Sequence, residues 1–358
     1  MALRVLIAED SSLFVEVLGE TLEKEPDITV DAVVDNGADA VEYCHKHRPD
    51  IVLMDIHMPR LDGLSATEQI MARCPTPILV ITSDPHRGGV DLSFRALSAG
   101  ALDLMAKPER LPFPPDERER LLRKIRLLSQ IPVVRHVRAR NRKPTPAPLS
   151  NRRAPAPECD PSSPDAVIGV VASTGGPRAL AKICTSLPDD FSGCLAIVQH
   201  ITDGFSRHLA RWLDKHSPLT VYEAEEGMPL RPGHAVIAPT RYHLAIDADL
   251  RCEVRDGPPI GGHRPSGDRL LISLARHAAP RAIGLVLSGM GDDGAVGLTA
   301  LHKSGCPTVA QDEETSVVYG MPRAAAARGV VEHIRPDTEI ASTLLRIIDT
   351  MTSCGGGR

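Results

Sequence analysis

The sequence predicts an α/β protein of two domains, each a parallel sheet covered by helices. Three observations carry this. Short apolar runs alternate with amphipathic helical patterns in both halves of the chain. Most of these runs are apolar throughout, as strands buried on both faces must be. A proline-rich, charged stretch over 131–165 separates the two series and cannot bury a core of its own. The length agrees: 358 residues is too long for one domain of ~150 residues. With 42% hydrophobic and 24% charged residues, the chain can fill two cores, which excludes a largely disordered protein.

The first domain is placed at residues 1–130. Its strand-like runs are Leu3–Ala8, a run ending at Val34, Ile51–Met54, 78–81 and 102–106. Helical patterns lie between them at 13–22, 38–45, 64–72 and 91–99, and a charged amphipathic helix over 116–130 closes the domain. The second domain is placed at 166–350. Strands are expected at Val167–Ala172, 195–198, 283–287 and 330–333, with helices at 177–186, 205–214, 270–278 and Ala295–Lys303. Around 235–254 the spacing shortens and turn residues crowd in, which predicts a hairpin excursion from the main sheet. There is no internal repeat.

Several function classes are excluded early. Lys+Arg total 41 against 46 Asp+Glu, so no global cationic field exists to hold nucleic acid. Aromatics are only 3%, which leaves no base-stacking platform. The basic residues of the separating stretch (Arg135, Arg138, Arg140, Arg142, Lys143, Arg152, Arg153) read first as a solvated linker, with contact to an acidic partner or lipid as the alternative. The eight cysteines form no CxxC pair and sit among apolar neighbours, as reduced buried thiols do. No apolar run approaches ~18 residues, and the first strand starts at Leu3. A cytoplasmic protein without membrane insertion is expected.

In open parallel sheets, ligands bind beyond the carboxyl ends of the strands. Glu9 and Asp10 end the first strand, Asp55 the third, Thr82 the fourth and Lys107 the fifth. These groups should converge on one crevice. Three carboxylates there repel one another unless a cation joins them. Mg²⁺ suits the set, because it takes oxygen ligands and keeps waters. Asp55 would then act as nucleophile toward a phosphoryl group, with Lys107 and the Thr82 hydroxyl on the phosphoryl oxygens. Any one acidic residue at a strand end is most often simply solvated; the set in this order is more specific.

Those residues lie in the segments IAEDSS, IVLMDIHMPRLDG, ILVITSD and MAKPE. Through them the region resembles the response-regulator receiver domain. The resemblance implies a flavodoxin-like fold with a five-stranded parallel sheet. It implies phosphorylation of Asp55 by a partner histidine kinase, and Mg²⁺ held by Glu9, Asp10 and Asp55 with help from the His57 carbonyl. Many receivers carry an aromatic residue three places before the lysine. Leu104 stands there in this chain, so a rotating ring cannot relay the signal from that position.

In the second domain, VIGVVASTGGPRAL reads as a strand, a glycine-rich turn and a helix, with Ser173 at the strand end. A phosphate loop is weakened by the lack of GK[ST] after Gly176, and the spacing is not that of a dinucleotide fingerprint. Ser173 alone would most often be a helix cap. As a nucleophile it needs a base. The run LAIVQH delivers His200 at its end, and AIGLVLSGMGDDGA delivers Asp292 and Asp293 just past its own. Serine, imidazole and carboxylate from three strand ends form a proton-relaying set, although the G-x-S-x-G elbow is absent. Gly289, Gly291 and Gly294 let backbone approach a substrate and leave N–H groups for an oxyanion.

The segments ASTGGP, VQH, GHRPSGD, LSGMGDDGA and AQDEETSVVYGMP are similar to the catalytic domain of the chemotaxis protein-glutamate methylesterases, the CheB family. The receiver–linker–esterase order also matches. The resemblance implies a doubly wound, mostly parallel α/β esterase domain and a catalytic set of Ser173, His200 and Asp293. Thr174 and Met290 fall at positions implied to shape the site and its oxyanion hole. Asp292 stands where many members have asparagine, and as a second carboxylate it could compete for the imidazole. The implied activity is hydrolysis of glutamate methyl esters on chemoreceptors, with deamidation of receptor glutamines and no cofactor for that reaction. Two other classes stay open: a receiver-controlled serine hydrolase acting outside chemotaxis, and a non-catalytic, phosphorylation-dependent binding protein.

Overall fold

The computed structural model describes residues 2–82, 90–108, 110–133 and 163–355. Most of the expected linker, including its basic cluster, lies outside the described residues. The chain divides into two compact units, one around each sheet.

The first unit runs β1 (Leu3–Ala8), α1 (Ser12–Glu23), β2 (Ile28–Val34), α2 (Gly37–His47), β3 (Ile51–Met54), α3 (Gly63–Arg73), β4 (Ile78–Thr82), α4 (Val90–Ala99), β5 (Asp103–Ala106) and α5 (Pro115–Leu128). The five strands pair in parallel in the order β2-β1-β3-β4-β5. β3 and β4 are buried at every position, which is why their sequences read as unbroken apolar runs. Ser11, Asn36 and Asp62 start their helices by accepting a backbone N–H into the side chain. Gly63 cannot be replaced without moving backbone, because a Cβ there would lie 1.9 Å from the Asp55 carbonyl oxygen. That close approach brings the start of α3 against the end of β3.

The second unit contains β6 (Val167–Ala172), α6 (Gly176–Ser186), β7 (Cys194–Gln199), α7 (Ser206–His216), β8 (Thr220–Glu223), β9 (His234–Ile237), β10 (His243–Ile246), β11 (Cys252–Arg255), α8 (Gly267–His277), β12 (Ala282–Val286), α9 (Ala295–Lys303), β13 (Thr308–Gln311), α10 (Met321–Ala327), β14 (His333–Arg335) and α11 (Ile340–Gly355). Seven strands form a parallel sheet in the order β14-β13-β12-β6-β7-β9-β8. The strand order reverses direction at β6. The crevice beyond the carboxyl ends of β6, β7 and β12 is therefore where such a sheet binds ligands.

The sheet is larger than the apolar runs suggested. β8 and β13 escape notice because Thr220-Val-Tyr-Glu and Thr308-Val-Ala-Gln interleave polar residues in four-residue strands. The last strand lies at His333–Arg335 rather than 330–333. The expected excursion splits in two: β9 joins the main sheet, and only β10 and β11 form a separate antiparallel pair.

Every residue of β6, β7 and β12 is buried. Each fully buried Val, Leu or Ile in them contributes about 1.5–3 kcal/mol. The six described cysteines are free and buried. Burial pushes the thiols of Cys44, Cys184, Cys194 and Cys252 up to about 12, so they are unreactive core residues. Cys159 and the Cys354 side chain fall outside what the structure describes. Among the described residues, no helix is long and apolar enough to cross a membrane.

Candidate active site

The first sheet gathers its strand-end residues as expected. Ligand oxygens of Glu9, Asp10 and Asp55 lie within 4.8 Å of one another. Glu9 and Asp55 are buried, at 4% and 3% exposure, whereas Asp10 is exposed. Lys107 reaches across from the end of β5, with Nζ 2.7 Å from Glu9 Oε2 and 2.9 Å from Asp55 Oδ2. One ammonium facing three carboxylates leaves excess negative charge. Burial accordingly pushes the Glu9 carboxyl up; Lys107 pulls it back and Asp55 adds to the rise. The donor set is all oxygen and under-neutralised, which fits a hard divalent cation. Among the described residues, the buried Thr82 hydroxyl has no hydrogen-bond partner. Leu104 is 2% exposed, within the core.

In the second sheet, β6 and β7 run in register with Ala172 opposite Gln199. Ser173 and His200 each follow directly, so they leave neighbouring strands side by side, about 4.8 Å apart across the sheet. The His200 N–H donates to the Ala172 carbonyl at 2.8 Å. The Ser173 N–H donates to the Ser288 carbonyl at 3.0 Å, which ties the serine to the segment following β12. That segment carries Asp293, and His200 Nε2 lies 2.8 Å from Asp293 Oδ2. Asp292 is exposed, whereas Asp293 is 4% exposed and makes the contact. His200 Nδ1 is buried and has no hydrogen-bond partner among the described residues, so Ser173 Oγ follows the adjoining strand without bonding to that nitrogen. Contacts of this kind are often loose before substrate binds. Thr174 is buried, and its carbonyl accepts from Ser288 Oγ at 2.7 Å. Met290 is 39% exposed at the crevice segment. Gly175 opens α6 at φ +81°, and a Cβ there would meet Val317 at 2.6 Å and Ser288 Oγ at 2.8 Å.

Four donors converge on the Asp293 carboxylate. His200 Nε2 and the Gly267 N–H (2.6 Å) reach Oδ2, while Ser266 Oγ and the Asp268 N–H, both at 3.0 Å, reach Oδ1. Gly267 and Asp268 are the first residues of α8, so the carboxylate sits on a helix N-terminus. Burial raises the Asp293 pKa, but His200 and the Asp268 and Gly267 N–H groups outweigh it and lower the carboxyl from 3.8 to about 2. A carboxyl depressed on folding stabilises the native state above its unfolded pKa of ~3.9, and that contribution fades as pH falls toward the folded value. It amounts to about 2 kcal/mol. Urea denaturation of wild type and Asp293→Asn should show a stability gap that narrows as pH falls below about 4. A gap independent of pH would contradict this electrostatic account.

Four contributors were not singled out from sequence. Ser266 caps α8 and holds Asp293; the only sequence trace is the serine before Gly-Asp. His243 is fully buried and accepts the Ser266 N–H at 3.2 Å. His263 stacks on His200 with centroids 4.1 Å apart and planes 7° from parallel. Gln199 spans the two strand ends, donating to the carbonyls of Ser173 (2.8 Å) and His200 (3.0 Å). Polar residues at such positions look like ordinary loop or strand-end residues until the fold brings their partners in.

Comparison with known proteins agrees with this architecture. Residues 168–344 match the family model for the CheB methylesterase, and residues 5–112 match that for the response regulator receiver domain. The chain is 44% identical to protein-glutamate methylesterase/protein-glutamine glutaminase 2 of Anaeromyxobacter dehalogenans (strain 2CP-C), over 96% of each chain. It is 40% identical to protein-glutamate methylesterase/protein-glutamine glutaminase 4 of Myxococcus xanthus (strain DK1622), again over 96% of each. The crystal structure of the Thermotoga maritima CheB methylesterase catalytic domain aligns with a TM-score of 0.50 at 34% identity, covering 52% of this chain and 99% of that one. The chain therefore belongs to the CheB methylesterase family, in the form that carries a receiver domain ahead of the catalytic domain.

Proposed function

We propose that the protein hydrolyses methyl esters of glutamate side chains on chemoreceptors, and deamidates receptor glutamines, under the control of phosphorylation at Asp55. The observation that carries the chemistry is the 2.8 Å contact between His200 Nε2 and a fully hydrogen-bonded Asp293, beside Ser173 on the adjoining strand end. Because Asp293 takes the Nε2 proton, Nδ1 keeps the lone pair and is the basic nitrogen. The reaction requires Ser173 Oγ to reach that nitrogen. Oγ attacks the ester carbonyl as Nδ1 removes its proton, and Asp293 stabilises the imidazolium that forms. The N–H groups of Thr174 and Met290 hold the oxyanion. Nδ1 then protonates departing methanol, or ammonia when the substrate is glutamine. Water, deprotonated in turn by Nδ1, releases glutamate and restores Ser173.

In the first domain Asp55 accepts a phosphoryl group from a histidine kinase. Glu9, Asp10 and Asp55, with the His57 carbonyl, would hold Mg²⁺, which supplies neutralising charge for phosphoryl transfer. Lys107, paired with Asp55, and the buried Thr82 hydroxyl would bind the phosphoryl oxygens. The functional boundaries are 1–130 for this domain, 131–165 for the linker and 166–350 for the esterase, and the site of action is the cytoplasm.

The test is methanol release from a methylated chemoreceptor, with and without a small acyl phosphate as phosphodonor. Phosphodonor should raise the wild-type rate and leave Asp55→Asn unchanged. An Asp55→Asn protein stimulated as strongly as wild type overturns the regulatory part. Labelling of Ser173 by a fluorophosphonate without methanol release would point to a hydrolase with another substrate. Neither labelling nor release would point to a non-catalytic binding protein.

A further inference from the structure

We propose that Gln199 is a positioning residue for the reaction: its carboxamide locks the nucleophile-bearing and base-bearing strand ends to each other. The proposal rests on the reading of Ser173 and His200 as nucleophile and base. Gln199 is the last residue of β7, paired with Ala172 at the end of β6, and is 2% exposed. Its Nε2 donates to the Ser173 carbonyl at 2.8 Å and the His200 carbonyl at 3.0 Å. Both N–H bonds of one planar group are thus spent on the peptide units through which the two catalytic residues leave the sheet.

This is a poor way to gain stability. The Ser173 carbonyl already accepts the Gly176 N–H at 2.8 Å, so it is satisfied without the amide. Among the described residues, the buried Gln199 Oε1 has no hydrogen-bond partner. An unsatisfied buried acceptor costs stability, and an apolar side chain of similar shape would avoid that cost. A buried polar residue that breaks the rule of satisfaction marks a functional constraint. Here the constraint is geometric. The amide couples the backbone torsions after Ser173 and after His200, and catalysis falls steeply, on the order of 10²-fold, when reacting groups are displaced by ~1 Å. Gly176 completes the arrangement, since a Cβ there would lie 2.2 Å from Oε1. The first residue of α6 thereby seats the carboxamide from its far side.

The test uses the full-length protein. Gln199→Met keeps the length of the side chain and removes the amide. The expected result is a melting temperature close to wild type, because the lost bond to the His200 carbonyl offsets relief of the unsatisfied Oε1, with a kcat for methanol release reduced about 30- to 100-fold and an unchanged KM. The rate of fluorophosphonate labelling at Ser173 should fall by the same factor, since it reports the nucleophile–base pair without receptor. Gly176→Ala places a Cβ 2.2 Å from the carboxamide oxygen and 2.8 Å from the Ala172 Cβ. It should lower the labelling rate, and the double variant should lose less than the two single losses combined. A folded Gln199→Met with the wild-type labelling rate overturns the proposal. So does a loss that tracks a fall in melting temperature, or losses that add in the double variant. Should Gln199→Met fail to fold, a Gly176→Ala protein labelled at the wild-type rate overturns it instead. Failure of the underlying reading is distinct: there, Ser173→Ala itself would keep its activity.

Discussion

Ser173→Ala is expected to lower kcat for methanol release by about 10⁴- to 10⁶-fold while leaving the melting temperature within about 1 °C of wild type. The fold should not notice the change, because Ser173 is held through its backbone. Its N–H donates to Ser288, and its carbonyl accepts from Gly176 and Gln199. Alanine keeps all three bonds. What disappears is the hydroxyl oxygen proposed to carry the acyl group. Any residual rate would come from oxyanion N–H groups and substrate binding acting on water. Methanol release, fluorophosphonate labelling and thermal melting together read the result. A variant that still releases methanol at more than a few per cent of the wild-type rate would remove Ser173 from the mechanism.

The second large effect is expected at Asp293. Asp293→Asn should cost about 10³- to 10⁴-fold in kcat and, unlike the serine variant, about 2–3 kcal/mol of stability near neutral pH. The reason is a count of acceptors. Each carboxylate oxygen takes two donors, His200 and the Gly267 N–H on one, Ser266 and the Asp268 N–H on the other. Asparagine has one oxygen. If its NH₂ faces α8 at the Oδ1 position, it opposes the Asp268 N–H and orphans it. If it faces the Oδ2 position, it opposes the Gly267 N–H and forces His200 to accept through Nε2. The proton then moves to Nδ1, the nitrogen that must be free to serve as base. Both orientations lose, one in stability and the other in stability and tautomer. Asp292→Asn is the matched control. That side chain is exposed, and the change should alter kcat less than about twofold and stability by less than about 0.5 kcal/mol. If Asp292→Asn were the damaging variant, the hydrogen-bond geometry around His200 would not describe the working enzyme.

Much of this arrangement is legible in the chain itself, for a local reason. A strand buried on both faces must be apolar, so the first polar residue after such a run marks its carboxyl end, where a parallel sheet opens its crevice. Glu9, Asp55 and Lys107 in the first domain and Ser173 in the second stand at that transition, and His200 lies one residue past it, after Gln199. The elements that were misread lack it. β8 and β13 mix polar residues into four-residue strands, and β14 has no fully buried residue. The helices capped by Ser11, Asn36 and Asp62 start within one residue of where the sequence predicts, whereas α8, capped by Ser266, starts three residues before its expected 270.

What the sequence determined by itself was the two-sheet α/β plan and the residue types waiting at the strand ends. The tertiary structure shows which of Asp292 and Asp293 meets His200: Asp293 is buried on the N-terminus of α8 and Asp292 is exposed. It also decided which imidazole nitrogen faces the carboxylate, and it set Gln199 across two strand ends and His263 against the His200 ring. Burial and apolar periodicity are properties of neighbouring residues and can be read along the chain. The charge state of a carboxylate and the tautomer of a ring depend on donors that arrive from segments 26 and 93 residues away. Only the folded sheet brings those donors within 3 Å.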